Sequence, residues 1–371
     1  MNSAEVFAPG EFLKDELEAR GWTQAELGEI MGRPTRLVNE LVCGKRAITP
    51  ETAVQLADAL GTSPDLWMNL ESQYQLSKVR TPRNAVARRA ALYAKFPVRD
   101  IIKRGWVSES ESIDVLEQNF AAYFGVTSLE SLPKFAHAAK KSLPETEVSY
   151  IQLAWLFRAK ALASTQQSLP QYNENKMRDS LPRLRALMSA TEEARHVPRI
   201  LFECGVHFVL VEALKGSKID GACFWLNHSQ PVVAMSLRLD RIDNFWFVLR
   251  HEIEHVLQRH GQDVGYVLDQ DIEIQINPER EQEEQIANAE ASNFCVERNE
   301  LSNFIARVQP MFSEERILRF ANRLQTHPGI VIGQLHNALK RHDLLRKHLV
   351  KVAHIVNKTA LSDGWGLIEH I

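Results

Sequence analysis

The sequence predicts a mostly helical α+β chain in three parts: a five-helix domain over residues 1–79, a helical connector over 80–194 and an α+β domain over 195–371. Three observations carry this. Helix caps and stops recur five times in the first 75 residues, strand-like alternation begins only after residue 205, and 371 residues is long for a single core. With 44% apolar and 25% charged residues, the chain is expected to be soluble and to bury a sizeable core. A net charge of −3 excludes nucleic-acid binding through bulk positive charge. Cys43, Cys204, Cys223 and Cys295 are far apart in sequence, so reduced thiols are expected rather than a disulfide scaffold. The start, MNSAEVFAPGEF, has neither a basic lead nor an apolar run, and no stretch approaches ~18 apolar residues. No membrane span and a cytoplasmic location are the expectation.

The first part is read helix by helix. Pro9-Gly10 opens helix one, which Gly21 closes. Thr23 caps helix two with Glu26 three residues on, a capping box, and Gly32 ends it. Pro34 suits the first turn of helix three, because its fixed φ is helical and its missing N–H would lack a partner there anyway. Gly44 stops that helix. Thr49-Pro50 and Ser63-Pro64 repeat the cap-then-proline signal for helices four and five. Leu27, Met31, Leu37, Leu41, Val54, Leu56 and Leu60 supply the apolar spacing.

Residues 1–79 carry seven basic and twelve acidic side chains, yet Arg33, Arg36, Lys45 and Arg46 cluster around helix three. That is the distribution expected if this helix enters a major groove while other faces avoid DNA. Arg36 and Asn39 can share a face and read base edges. Gln24 and Thr35, near helix N-termini, can bond phosphates, with Lys45 and Arg46 beyond the helix. The segment from GEFLKDELEARGWTQAELGEIMGRPTRLVNELV through CGKRAITPETAVQLADALGTSPDLWMNL closely resembles the HigA-like branch of lambda-repressor-type helix-turn-helix proteins. The resemblance implies binding to a double-stranded DNA operator, as a homodimer on a palindrome.

Residues 80–104 hold eight basic side chains (Arg80, Arg83, Arg88, Arg89, Lys95, Arg99, Lys103, Arg104) against Asp100 alone. A solvated connector and a phosphate-contacting extension both fit. From there to about 195 the apolar spacing is helical and shows no chemistry.

Strands are expected at 206–211, 221–226 and 231–239, and then comes DNFWFVLRHEIEHVLQRHG, read as a mostly buried helix spanning at least 246–258. On that helix His251 and His255 lie one turn apart on one face and can close on one ion. Glu252, beside the first histidine, can take a proton from metal-bound water. A catalytic zinc needs three protein ligands and an open position, so a third ligand must come from elsewhere. Glu279, Glu281, Glu283, Glu284 and Glu290 all follow. The run EREQEE reads as a solvated face or helix start, whereas Glu290 lies among Ile286, Ala287, Ala289, Ala291, Phe294 and Cys295. A carboxylate buried there would need a cation to stay charged.

WFVLRHEIEHVL followed by EASNFCVERNEL resembles the ImmA/IrrE-type zinc metallopeptidases, as do GACFWL, PVVAMSLRL and HPGIVIGQL over about 195–357. The resemblance implies a zincin-like fold, Zn2+ held by His251, His255 and Glu290, and Glu252 as general base. His327 either stabilises an oxyanion near the zinc or caps the helix it begins. His260, His336 and His342 read as surface residues and Cys295 as core. The expected function is a transcriptional regulator carrying its own zinc endopeptidase, acting on a protein partner or on itself. The alternative is a HigA-like antitoxin or repressor whose peptidase-like domain binds a toxin-like partner or signal without turnover.

Overall fold

A computed structural model describes residues 7–78, 84–132, 138–141, 149–262 and 278–366, without the side chains of 138–141 and 278–281. Two compact units result, Met1–Ala87 and Arg88–Ile371. The fold is mostly helical with one small mixed sheet, as the sequence predicts.

In the first unit five helices follow the predicted punctuation, α1 (Pro9–Arg20), α2 (Gln24–Met31), α3 (Thr35–Val42), α4 (Pro50–Leu60) and α5 (Pro64–Lys78), except that Pro34 is the N-cap of α3, its ψ of 138° placing it before the first turn and not in it. The capping box is present, with Glu26 N–H donating to Thr23 Oγ1 at 3.2 Å and Thr23 N–H donating to Glu26 Oε2 at 2.6 Å. Gly32, at φ 65°, ends α2 and lets the chain turn into α3 within three residues. Leu13, Leu27, Val38, Leu41, Leu56 and Trp67 form the core of this unit.

The second unit begins with α6 (Ala85–Lys95), which straddles the boundary, followed by α7 (Val98–Lys103), α8 (Ile113–Phe124) and β1 (Ala138–Lys141). Then come α9 (Tyr150–Ser164), α10 (Glu174–Ala186) and α11 (Val197–Glu203), and the strands β2 (His207–Val211), β3 (Ile219–Trp225) and β4 (Pro231–Met235). The helix α12 (Ile242–Leu257) is followed by α13 (Pro278–Cys295), α14 (Arg298–Val308), α15 (Glu314–Arg323), α16 (Pro328–Leu339), α17 (Ala353–Val356) and β5 (Leu361–Asp363). The sheet order is β1-β3-β4-β2-β5. β1, β3 and β4 pair antiparallel, whereas β2 pairs parallel with both β4 and β5.

Two expectations change here. The predicted 80–194 connector is not separate: β1 completes one sheet edge, and the Trp155 indole of α9 donates to Val211 O of β2 at 2.8 Å. Its basic run is also largely structural. Arg88 pairs with Asp114 and Glu117, Arg89 donates to the carbonyl of Glu111, and Arg104 donates to the carbonyls of Glu212 and Ala213. Arg80 and Arg83 lie outside the described residues. The strand predicted to reach 239 stops at Met235, because Leu237 takes a left-handed φ of 48°. Among the described residues, no helix is long and apolar enough to cross a membrane.

Helix α12 is the spine of the second unit. It runs from Ile242 and all but Asn244 and Phe247 are buried, because the sheet covers one side while α13 and α16 cover others. Phe208, Leu210, Cys223, Val233 and Met235 share one core with Phe245, Trp246, Val248, Leu249 and Ile253 of this helix. That burial places both metal-spaced histidines wholly inside the protein.

Candidate metal centre and helix-turn-helix face

His251 and His255 project from one face of α12, and their Nε2 atoms converge to 3.1 Å. The carboxylate of Glu284, on α13, closes the triangle: Oε2 lies 3.3 Å from His251 Nε2 and Oε1 lies 3.4 Å from His255 Nε2. Two atoms bound to one tetrahedral zinc at about 2.0–2.1 Å stand about 3.3–3.4 Å apart. The three edges therefore match the spacing of three zinc ligands without rearrangement. The donor set, two imidazoles and a carboxylate, is also the one zinc takes in open sites. Burial raises the Glu284 carboxyl, but hydrogen bonds from His251 and His255 outweigh it and hold the group at about 2. It stays an anion at any physiological pH, ready to neutralise a cation.

This arrangement differs from the ligand set that the resemblance implies, in which Glu290 is third. The buried side of α13 is the stripe Ala287, Ala291, Cys295, at spacings of four. Glu284 lies three residues before Ala287 and falls on that stripe; Glu290 lies one residue before Ala291 and is rotated about 100° off it. Glu290 is exposed, and its carboxylate meets Arg250 at 3.3 Å, so an arginine and not a metal supplies its cation. The side chains of Glu279 and Glu281 lie outside the described residues.

Glu252 is fully buried on the turn that carries His251. Gly221 of β3 makes room for it: a Cβ there would stand 2.8 Å from Glu252 Oε1 and 2.7 Å from Val248 Cγ1. Because Val248 is stiff within a packed helix, the added methyl must push on the glutamate. Gly221→Ala is expected to cost ~1–3 kcal/mol of stability by overpacking, read as a lower denaturation midpoint, and to disturb Glu252 before it disturbs either histidine. Zinc content equal to wild type with a lowered midpoint is the expected pair of results. Cys223, on the same face of β3, has its thiol pushed up by burial and by the Glu252 charge, so it is a neutral core residue.

The remaining histidines sort differently from expectation. His327 is the N-cap of α16, its Nδ1 accepting from Gly329 N–H at 3.1 Å, and the charged groups acting on it are His348 and Glu192. It acts as a cap, which leaves the oxyanion role without geometric support. His336 is buried and its Nε2 lies 2.6 Å from Leu344 O, so only His342 of the supposed surface group beyond α15 is exposed. His260 is not a surface residue either, since its Nδ1 lies 2.7 Å from His255 Nδ1.

In the first unit the residues singled out for DNA lie on α2 and α3, in the turn between them and just after α3. Gln24 and Asn39 bond each other, Nδ2 to Oε1 at 3.0 Å, which ties the start of α2 to the middle of α3. Thr35 is exposed in the first turn of α3, and Arg36 is 88% exposed beside it. Glu40 holds Arg36 at 2.9 Å and Arg46 at 3.2 Å, and those two guanidiniums keep its carboxyl below the usual range. Lys45 is exposed. Arg33 behaves otherwise: it donates to Gln55 Oε1 at 3.0 Å and pairs with Glu51, both on α4. It braces the α2–α3 turn against α4 and is the least available of the seven for a ligand.

Residues 13–67 match the family described as Helix-turn-helix. The uncharacterized HTH-type transcriptional regulator YddM of Escherichia coli is 30% identical over 78 residues, 21% of this chain and 83% of that protein. Antitoxin HigA-1 of Vibrio cholerae is 39% identical over 72 residues, 19% of this chain and 68% of that protein. Among solved structures, the Pseudomonas aeruginosa antitoxin HigA with the higBA promoter is 34% identical, covering 20% of this chain and 80% of that one at a TM-score of 0.19. The HigA-family addiction module antidote protein of Coxiella burnetii has the same identity, coverage and score. Each of these matches spans about a fifth of the chain. Through its first unit the chain belongs to the helix-turn-helix family of transcriptional regulators, with HigA-type antitoxins among its relatives.

Proposed function

We propose that the chain is a DNA-binding regulator whose second unit hydrolyses peptide bonds, using a zinc ion held by His251, His255 and Glu284. The observation that carries the enzymatic half is the ligand triangle with 3.1–3.4 Å edges beside the buried Glu252. Zinc, when bound, acts as a Lewis acid and lowers the pKa of a coordinated water toward ~7. Glu252 takes the proton as water attacks the substrate carbonyl and passes it to the leaving amine. Among the described residues β3 and β2 flank β4, so a substrate strand would not pair with β4. The ImmA/IrrE resemblance supports the same reading, with a regulatory protein or the chain itself as substrate.

The DNA half rests on the family membership and on the exposed Arg36, Asn39, Lys45 and Arg46 around α3, with an operator bound by a homodimer in the cytoplasm. Arg36→Ala is expected to weaken binding by ~1–3 kcal/mol, about 5- to 150-fold, if Arg36 reads a base. Arg33→Ala is expected to lower thermal stability more than affinity, because its partners lie on α4. Fluorescence anisotropy on a duplex selected by the wild-type protein from a random library measures both affinities, and thermal denaturation measures the stability of Arg33→Ala. Equal affinity for wild type and Arg36→Ala would remove α3 from the reading role.

A second reading has one observation in its favour, the naming of relatives as antitoxins. There the second unit binds a toxin-like protein or a signal and does not turn it over. The two readings part on whether a Glu252 variant loses any output.

A further inference from the structure

The end of α12 is built in an unusual way, and the consequence falls on a zinc ligand. Arg259 takes a left-handed φ of 58°, a place more often given to glycine, and reverses the chain. Its N–H donates to Val256 O at 3.1 Å, and the next N–H, that of His260, donates to His255 O at 2.9 Å. This pair of bonds is the Schellman closure of a helix. It folds His260 back onto the residue that offers Nε2 to the metal. The His260 carbonyl is anchored as well, accepting from the Trp225 indole of β3 at 3.1 Å. Held from both sides, the His260 ring sets Nδ1 at 2.7 Å from His255 Nδ1 and Nε2 at 3.6 Å from Glu283 Oε1.

We infer that Glu283 and His260 form a relay that fixes the tautomer and ring orientation of His255, making His260 a positioning residue for the metal centre. The proton placement follows from valence. A His255 that ligates through Nε2 carries its proton on Nδ1, so it must donate there. His260 Nδ1 is the acceptor within reach, which puts the His260 proton on Nε2, facing Glu283. Each proton thus has one position, and the ring of His255 is held with its lone pair toward Glu284 and His251. Adjacent residues of α13 divide the work: Glu284 is a ligand, and Glu283 supports a ligand from behind. The inference rests on the metal reading of the proposed function, and the test separates the two.

Zinc affinity is measured on the full chain by competition with a chromophoric chelator, alongside the melting temperature of the metal-free protein. His260→Ala is expected to weaken zinc binding by ~10–100-fold. His260→Asn, whose Oδ1 can take the place of Nδ1 as acceptor, is expected to recover most of that loss. Metal-free melting temperatures of the two variants should agree, since neither adds bulk and both keep the backbone bonds. Affinity in His260→Ala equal to wild type overturns the inference. So does an equal affinity loss in both variants, because an acceptor would then not be what matters. A wild-type chain that fails to bind zinc overturns the metal reading itself, before His260 is in question.

Discussion

Glu252→Gln is expected to abolish hydrolysis, by ~10²–10⁴-fold, while zinc content and DNA affinity stay at wild-type levels. The reasoning starts from position. Glu252 is one residue from His251, on a helix whose face toward Glu284 is set by the i, i+4 pair, so it would border an ion held there without being among the three converging side chains. It is fully buried, and Gly221 leaves room for its carboxylate against β3, so the amide of glutamine fits the same space. What the amide cannot do is accept a proton. The measurement is mass-spectrometric mapping of new N-termini after a cell lysate, and the chain alone, are incubated with wild type or variant. New termini that appear with wild type and vanish with Glu252→Gln support turnover. Identical termini from both proteins would move the second unit to the non-hydrolytic reading, in which Glu252 has no task that Gln cannot perform.

Much of this was legible in the sequence where the signal is local. The Thr23–Glu26 box, the glycine stops and the Thr49-Pro50 start each involve residues within a turn of one another, and each appears in the structure as read. The His251–His255 pair was legible for the same reason, since helical spacing alone brings the rings together. Contacts that depend on distant segments were not. The 80–194 stretch has no chemistry of its own, and nothing within it says that residues 138–141 will pair with β3 some eighty residues later. The strand at 231 reads too long because Ser236 to Leu239 alternates like a strand, while Ser236 N–H donates to Asp220 O and Leu237 turns with a left-handed φ. The carboxylate that completes the triangle is hidden from the sequence by helical phase. Ala287, Ala291 and Cys295 define the inward stripe of α13, and extending it backward by three residues lands on Glu284. Ile286 and Phe294, which widened the apparent apolar face toward Glu290, are both partly or largely exposed.

Glu284→Ala should therefore weaken zinc binding by ~10²-fold, and Glu290→Ala should leave it within a few-fold of wild type. Zinc held by four ligands is worth ~10–16 kcal/mol, so about 3 kcal/mol rests on one of them, which corresponds to that factor. The Glu284 carboxylate also brings the only negative charge among the three converging side chains, and hydrogen bonds from the two histidines favour its ionised form. Removing it leaves two neutral imidazoles facing a divalent ion. Glu290 has a different task. Its half-exposed carboxylate pairs with Arg250, which keeps Glu254 as a second partner at 2.7 Å. The buried Arg250 keeps Glu254 when Glu290 is removed, so Glu290→Ala should lower stability slightly and the metal affinity hardly at all. Chelator competition on the two variants decides between the two carboxylates directly. A large loss at Glu290 with none at Glu284 would mean that α13 is rotated by about a third of a turn in the metal-bound protein. The triangle of His251, His255 and Glu284 would then be a feature of the metal-free state alone.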